Sequence, residues 1–129
     1  MTKFLTDEWF DQAQALGAVL PEQPGKSLVL QHVLTAGPVG APDAFHQVYD
    51  DGRLVTFAPG RHPNPEVTLT ESYETALKVN LGQVNPRNAM LTGKIRPGGD
   101  VLKLMSMLPL IQSDEYQAMQ QAIAAITEP

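Results

Sequence analysis

The part of the sequence that decides the fold is residues 65–111, which read PEVTLTESYETALKVNLGQVNPRNAMLTGKIRPGGDVLKLMSMLPLI. Residues 67–70 predict a strand, because apolar residues alternate there with threonines. Ser72 is a suitable N-cap for a helix directly after it, and Gly82 closes that helix. The apolar stripe of the helix is formed by Tyr73, Ala76, Leu77 and Leu81.

The rest of the stretch predicts short elements. Asn85, followed by proline, begins a short turn of helix. Residues 94–96 predict a brief strand whose central isoleucine faces inward, and a helix is expected over residues 100–108. Ser113 begins the last helix. Its apolar stripe is formed by Tyr116, Met119, Ile123 and Ile126.

Upstream of this stretch, the sequence predicts one helix and then strands. Thr6 caps a first helix that ends before Pro21. Branched apolar residues predict a strand over residues 28–34. Two further strands, 45–49 and 54–58, flank an Asp-Gly dipeptide typical of a two-residue hairpin. The order of elements predicts an α+β fold, with a largely antiparallel sheet and helices on one face.

The length of the chain bears on the number of domains, and its charge bears on which partners it can bind. A chain of 129 residues is expected to form a single domain, over residues 1–129. The net charge is −5, and no two basic residues are adjacent. Nucleic-acid binding needs a basic stripe that neutralises phosphates, so this class is excluded, and attraction to anionic membranes is disfavoured.

The cysteine content and the hydropathy of the sequence bear on the site chemistry and on the cellular location of the protein. The absence of cysteine excludes disulfides, thiol catalysis and a cysteine-ligated metal. The longest apolar run, residues 107–111, is far too short to span a membrane, and residues 1–9 lack the apolar core of a signal peptide. We therefore expect a cytoplasmic protein without stable membrane insertion.

Three histidines are the candidate metal ligands or acid–base groups. His32 lies mid-strand, and a hairpin could bring it opposite His46, with Asp43 or Asp50 nearby. However, His32, His46 and His62 are separated by 14 and 16 residues. Metal sites usually show closer ligand spacing. We therefore interpret the histidines as packed or solvated residues and expect no metal.

Two carboxylate pairs have structural explanations. Asp50 and Asp51 precede a glycine and are typical turn formers. Glu71 and Glu74 are placed at a helix start, where the helix dipole favours negative charge. The sequence has no nucleophile elbow, phosphate loop or dinucleotide motif. We therefore expect no catalytic residue and no cofactor.

The segment 101–111 contains only two polar residues, Lys103 and Ser106. One interpretation is a buried central helix with a proline-broken end. The other is that one stripe packs on the sheet while a second lines a cavity or an exposed apolar mouth. Methionine fits both, because its flexible thioether fills irregular space and adapts to varied ligands.

The order and spacing of several short motifs resemble the sterol carrier protein type-2 family of sterol-binding or lipid-transfer domains. Two lie at the start of the stretch: Thr-x-Ser-Tyr-Glu at residues 70–74, and a helix closed by Gly82. Asn85-Pro86 follows. The remaining motifs are Met90-Leu91-Thr92-Gly93-Lys94-Ile95, Gly99-Asp100 and Lys103-Leu104. Together they cover about a third of the chain.

The resemblance implies a five-stranded, mainly antiparallel sheet with helices on one face and an apolar tunnel between them. It also implies that fatty acyl chains, sterols or related lipids bind there without a cofactor or catalytic residue. The expected ligand-binding residues are Tyr73, Leu77, Met90, Ile95, Leu102, Met105, Leu108 and Met119.

The sequence departs from the family pattern in three places. Pro97 and Gly98 replace the residues that usually continue the strand, so that strand is expected to be cut short. The N-terminal third matches only loosely. The chain ends in Ile-Thr-Glu-Pro, not in a peroxisomal tripeptide, which favours a bacterial-type cytoplasmic member.

The sequence therefore predicts non-enzymatic binding or transport of a lipid such as a fatty acid, an acyl-CoA or a sterol-like molecule. One alternative is an interaction module of the same fold with a filled core, which dimerises or assists a partner enzyme. Another is a small hydrolase or isomerase that uses His32 or His46. Whether the protein forms a homodimer is left open.

Overall fold

The computed structural model describes residues 1–129 and contains seven strands and six helices. In chain order they are β1 (Thr2–Lys3), α1 (Asp7–Gly17), β2 (Leu28–Thr35), β3 (Ala44–Asp50), β4 (Arg53–Pro59), β5 (Val67–Ser72), α2 (Tyr73–Asn80), α3 (Pro86–Leu91), β6 (Ile95–Gly99), α4 (Val101–Ser106), α5 (Leu108–Ile111), α6 (Asp114–Ile126) and β7 (Thr127–Glu128). None of the helices is long and apolar enough to cross a membrane.

Five of the strands form one mixed sheet in the order β4-β3-β2-β5-β6. Three of its pairings are antiparallel, and β2 pairs with β5 in parallel. The predicted hairpin joins β3 to β4. At its turn, Asp51 and Gly52 both have positive φ, at 46° and 86°, as a tight two-residue turn requires. The α+β prediction with a mainly antiparallel sheet is confirmed.

Residues 60–66 connect β4 to β5 across the outer face of the sheet. The backbone N–H of His62 donates to Oε1 of Gln31 over 2.9 Å, and that of Glu66 donates to the Val29 carbonyl over 3.0 Å. Gln31 points away from the face that carries Leu30 and is itself buried. The connection therefore covers part of the outer face, and the apolar core lies on the other.

The core lies between the inner face of the sheet and the helices. Its buried strand residues include Leu28, Leu30, Leu34, Phe45, Leu54, Phe57, Val67 and Leu69. The buried helix residues that face them include Trp9, Phe10, Met107, Leu110, Met119 and Ile123. Alternation along each strand explains why one face is apolar.

The two ends of the chain are joined next to the core. Thr2 and Lys3 pair in parallel with Thr127 and Glu128. The buried indole N–H of Trp9 donates to Oγ1 of Thr127 over 2.9 Å, so α1 is fixed to the end of α6. Neither the small sheet nor this hydrogen bond follows from local sequence patterns.

Most predicted helix starts are confirmed by side-chain caps. The hydroxyls of Thr6, Ser72 and Ser113 and the amide of Asn85 each accept a hydrogen bond from the first turn of the following helix. Helix α1 ends at Gly17, earlier than expected. Here the helix meets β4, and a Cβ on Gly17 would lie 2.4 Å from a methyl carbon of Leu54.

The single helix predicted over residues 100–108 is wrong in its extent. It ends at Ser106, and a second helix begins at Leu108. Pro109 lies in the first turn of this second helix and has no N–H to donate back to the preceding turn. The continuous helix is therefore interrupted at Met107, which is buried.

The expectation that Pro97 and Gly98 shorten the last strand of the main sheet is also wrong. Strand β6 continues through both residues to Gly99 and pairs with β5 along its whole length. It is an edge strand, and proline is tolerated on an edge because one side of the strand needs no N–H donor.

Gly99 is required where β6 turns into α4. Its φ is +87°, and a Cβ at this position would lie 2.4 Å from the carbonyl oxygen of Glu66. We predict that Gly99→Ala lowers the free energy of unfolding by about 2 kcal/mol or more, through backbone strain and a steric clash. Chemical denaturation of the purified variant measures this change.

Gly98→Ala is the matched control. The nearest atom to its added Cβ is the Thr68 carbonyl oxygen, at an ordinary contact distance of 3.8 Å. We expect its free energy of unfolding to equal or slightly exceed that of the wild type. Equal losses in both variants would contradict the assignment of Gly99.

Candidate ligand-binding site

Five of the eight expected ligand-binding residues lie in or against the core between sheet and helices. Ile95 and Met119 are buried, with 2% and 3% of their surface exposed. Tyr73, Leu77 and Met90 are partly buried and pack against the same core cluster. They come from β6 and from three different helices, α2, α3 and α6, so the fold brings together residues up to 46 positions apart in sequence.

The other three residues lie further out. Leu102 and Met105 are 80% and 56% exposed on α4, a helix with no buried residue. Leu108, at the start of α5, is half-buried. Val101 and Leu91 add to the exposed apolar surface. The structure therefore separates an interior group from an exposed apolar group, where the sequence placed all eight in one pocket.

A polar pair lies on the inner face of the sheet, among apolar neighbours. Nδ1 of His32 donates to Oε1 of Glu71 over 2.9 Å, and the imidazole stacks on Phe45 with ring centroids 4.3 Å apart. The Glu71 side chain is 3% exposed. The pair is satisfied internally, as a buried charged group requires.

The sequence-based interpretation of Glu71 was wrong. Glu71 belongs to β5, where it alternates with Val67 and Leu69 on the inner face; it is not in the helix start. Glu74 does lie in the first turn of α2 and pairs with Lys78 over 3.0 Å. The alternation of Val67 and Leu69, extended by two residues, reaches Glu71. This pattern is the sequence signal that would have identified the buried carboxylate.

The histidines do not converge. His46 is paired with Gln31, whereas His32 is paired with Phe45, so the two imidazoles lie on opposite faces of the sheet. His46 instead bonds the Gly60 carbonyl and lies beside His62, with ring centroids 5.3 Å apart. No group of three or more histidine, aspartate or glutamate side chains is placed to hold a metal ion.

Two tyrosine hydroxyls meet inside the core. The oxygens of Tyr49 and Tyr116 are 3.5 Å apart, and Nε2 of Gln120 donates to the Tyr116 hydroxyl over 3.0 Å. Burial raises the pKa of Tyr49 well above its usual value, and the neighbouring Tyr116 raises it further. Sequence reasoning did not single out this pair, because its partners lie 67 residues apart.

The His32–Glu71 pair leads to a stability prediction. Glu71→Ala leaves the Nδ1–H of a mostly buried imidazole without its partner, so we expect the free energy of unfolding to fall by about 1–3 kcal/mol. Glu74→Ala is the matched control and is expected to change it by less than about 0.5 kcal/mol, because its ion pair is exposed. Equal effects in a denaturant titration would contradict the assigned role of Glu71.

Tyr49 leads to a prediction about pH. An unfolded tyrosine ionises near pH 10, whereas the pKa of folded Tyr49 is higher. Its contribution to stability is complete below about pH 10 and is lost as the pH rises toward the folded pKa. We expect Tyr49→Phe to lose less stability than the wild type between pH 8 and pH 11 in denaturant titrations. An unchanged loss would contradict the assignment.

Comparison with known proteins identifies the fold. No family model matches the sequence, and no curated protein matches it. Among solved structures, sterol carrier protein 2 is similar at a TM-score of 0.64 and 13% identity, covering 98% of this chain and 100% of that one. The palmitated sterol carrier protein 2-like 2 of Aedes aegypti has a TM-score of 0.56 and 22% identity, covering 85% and 96%.

The chain is also similar to part of a much longer enzyme, the stereoselective inverting sec-alkylsulfatase Pisa1 from Pseudomonas sp., with a TM-score of 0.52 and 20% identity. It covers 83% of this chain, which spans only 16% of the length of the sulfatase. At such identities these similarities establish the fold. The chain therefore has the fold of sterol carrier protein 2.

Proposed function

We propose that this protein binds the alkyl chain of a lipid between its sheet and helices, without covalent chemistry. The observation that carries the proposal is the interior group: Tyr73, Leu77 and Met90 are only partly buried and pack against the core that includes the buried Ile95 and Met119. Partly buried apolar side chains against a core are the surfaces that a ligand chain can cover. The apolar tunnel expected from the family is part of this proposal.

The chemistry of the similar structures supports an alkyl ligand. One is a palmitated protein, and another is an enzyme that acts on secondary alkyl sulfates. Both proteins are associated with an alkyl chain. This shared feature favours a linear alkyl chain as the bound group. Sterol binding is supported only by the name of the fold family.

The free energy gained by burying such a chain is sufficient for micromolar binding. Each buried methylene contributes roughly 0.8 kcal/mol, so a chain of about 14 carbons contributes on the order of 10 kcal/mol. Immobilising the ligand costs several kcal/mol of this. Dissociation constants in the micromolar range follow, with selectivity set by chain length.

The exposed apolar group has a role in the same proposal. Leu102 and Met105 lie on α4, which follows β6 directly and contacts β5 and α5. We place them at the entrance, where an incoming chain leaves water before it reaches the interior. A flexible methionine beside a leucine suits such an entrance, because it adapts to chains of different shape.

Met90 and Leu91 are neighbours on α3 and allow a matched test. Met90 packs against the core, whereas Leu91 is 79% exposed. We expect Met90→Trp to weaken palmitate binding at least about tenfold, because the indole occupies the space of the chain. Leu91→Trp should bind like the wild type. Isothermal titration calorimetry measures both affinities, and circular dichroism checks folding.

Two results would overturn the proposal: a wild-type protein that binds neither palmitate nor hexadecanol, or a folded Met90→Trp variant with unchanged affinity. The first result favours the alternative function, an accessory module with a filled core that acts with a partner enzyme. The similarity to a segment of a much longer sulfatase is the observation behind this alternative. Analytical ultracentrifugation of the wild type would then show whether the module self-associates.

A further inference from the structure

Helix α4 is the only helix of this protein that has no buried residue. Among its apolar side chains, Leu104 is partly buried against the core cluster, whereas Leu102 and Met105 are largely exposed. A segment with few buried apolar contacts opens locally at a low free energy. Contacts other than apolar burial must therefore hold α4 in place.

Both ends of α4 are anchored. Before the helix, Gly99 has a φ of +87°, and the backbone N–H of Asp100 donates to the Glu66 carbonyl over 2.9 Å. After the helix, Met107 is buried, with 1% of its surface exposed. Because both ends are fixed, α4 cannot swing away as a rigid body. It can open only by unwinding over residues 101–106, which we call the strap.

The side chain of Glu66 fastens the strap to the main sheet. Its Oε2 accepts a hydrogen bond from Nζ of Lys103, in the middle of the strap. Its Oε1 accepts a hydrogen bond from the backbone N–H of Val29 in β2 over 2.9 Å. One further contact lies at the end of the strap, where Nζ of Lys26 donates to the Ser106 carbonyl over 2.9 Å. The strap is therefore held by polar contacts.

The contact between Glu66 and Lys103 is charged and accessible to solvent. The hydrogen bond from Lys103, followed by that from Val29, lowers the pKa of Glu66, so its carboxylate is ionised at neutral pH. The Lys103 and Glu66 side chains are 36% and 33% exposed, so water and salt ions reach the pair. An ion pair in such a setting contributes little stability and is weakened by salt. This contact can hold a short helix and still break often.

We infer that α4 is a strap that unwinds locally while the rest of the fold stays intact, and that the Glu66–Lys103 pair is its latch. Each unwinding uncovers the part of the core that Leu104 contacts, and admits or releases an alkyl chain there. The unwinding itself stands on the contacts of α4, whereas its role in ligand entry rests on the proposed function.

The strap lies at one end of the proposed alkyl site. Gly99, just before the strap, pairs with Val67 at the start of β5. Ile95 of the interior group pairs with Glu71, four residues further along the same strand. At about 3.3 Å per residue, these two positions are roughly 13 Å apart. A chain that enters past the strap therefore runs along the inner face of β5 to reach Ile95.

Amide hydrogen exchange, followed by NMR, tests the local unwinding. In the wild type, we expect the amides of residues 104–106 to exchange at least about a hundredfold faster than the slowest amides of β2 and β5. Low concentrations of denaturant should leave this exchange unchanged, because a local opening exposes little surface. Exchange at the same rate as the slowest sheet amides would overturn the strap, since α4 would then open only when the whole domain unfolds.

Glu66→Gln tests the latch, because glutamine can still accept the hydrogen bond from Val29 but has no charge for Lys103. We expect residues 104–106 to exchange about fivefold faster than in the wild type. Raising NaCl from about 0.05 M to about 0.5 M should accelerate their exchange in the wild type and leave it unchanged in the variant. Glu74→Gln, which removes the exposed ion pair with Lys78, is the matched control and should exchange like the wild type. Equal exchange in Glu66→Gln and the wild type would overturn the latch.

Stopped-flow fluorescence with cis-parinaric acid, a fluorescent fatty acid, tests the role in ligand entry. We expect Glu66→Gln to raise the association and dissociation rate constants by the same factor of about five, without a change in the dissociation constant, because a gate alters rates and not affinity. Unchanged rate constants in a variant whose strap exchanges faster would overturn this role. A wild type that binds neither cis-parinaric acid nor hexadecanol contradicts the proposed alkyl site alone, because the exchange experiment requires no ligand.

Discussion

The parallel pairing of β2 with β5 is the constraint on which the rest of the structure depends. A parallel pairing requires a crossover, and here the chain crosses the outer face of the sheet over residues 60–66 while the helices pack on the inner face. Its register sets Leu34 opposite Glu71, which makes His32 the diagonal neighbour of Glu71 on the inner face. A slip of one residue would turn the carboxylate to the other face, away from its partner.

The local elements could be predicted because their signals are local. Capping side chains, the Asp-Gly hairpin and the alternation of apolar residues each act within a few positions, and the structure has the corresponding helices and strands. The predicted ends of two elements were wrong because tertiary contacts decide them. Helix α1 ends at Gly17, where it packs against Leu54, and β6 continues through Pro97 because it lies on the edge of the sheet. The residue patterns alone predicted the five strands of the main sheet, and the family resemblance implied the same number.

The depth of each candidate site residue could not be predicted, because strand register and burial are properties of the whole fold; their binding role stays a prediction. The sequence singled out Ile95 and Met119 as inward-facing apolar residues, and both are buried. It could not show that α4 lies at the periphery, so Leu102 and Met105 were grouped with them. The separation of His32 from His46 and the partner of Glu71 follow from strand pairing, which no spacing in the sequence encodes.

The edge strand β6 also governs how copies of this protein can meet. An open strand edge is a template for another chain, and continuous sheets between molecules are a common route to aggregation. Pro97 interrupts the row of donors along this edge, and the left-handed backbone of Gly99 turns the chain away after five residues. The residues that were expected to end the strand therefore prevent it from pairing with a strand of another molecule. If copies of this protein associate, contacts between side-chain surfaces are favoured over a sheet that continues between molecules.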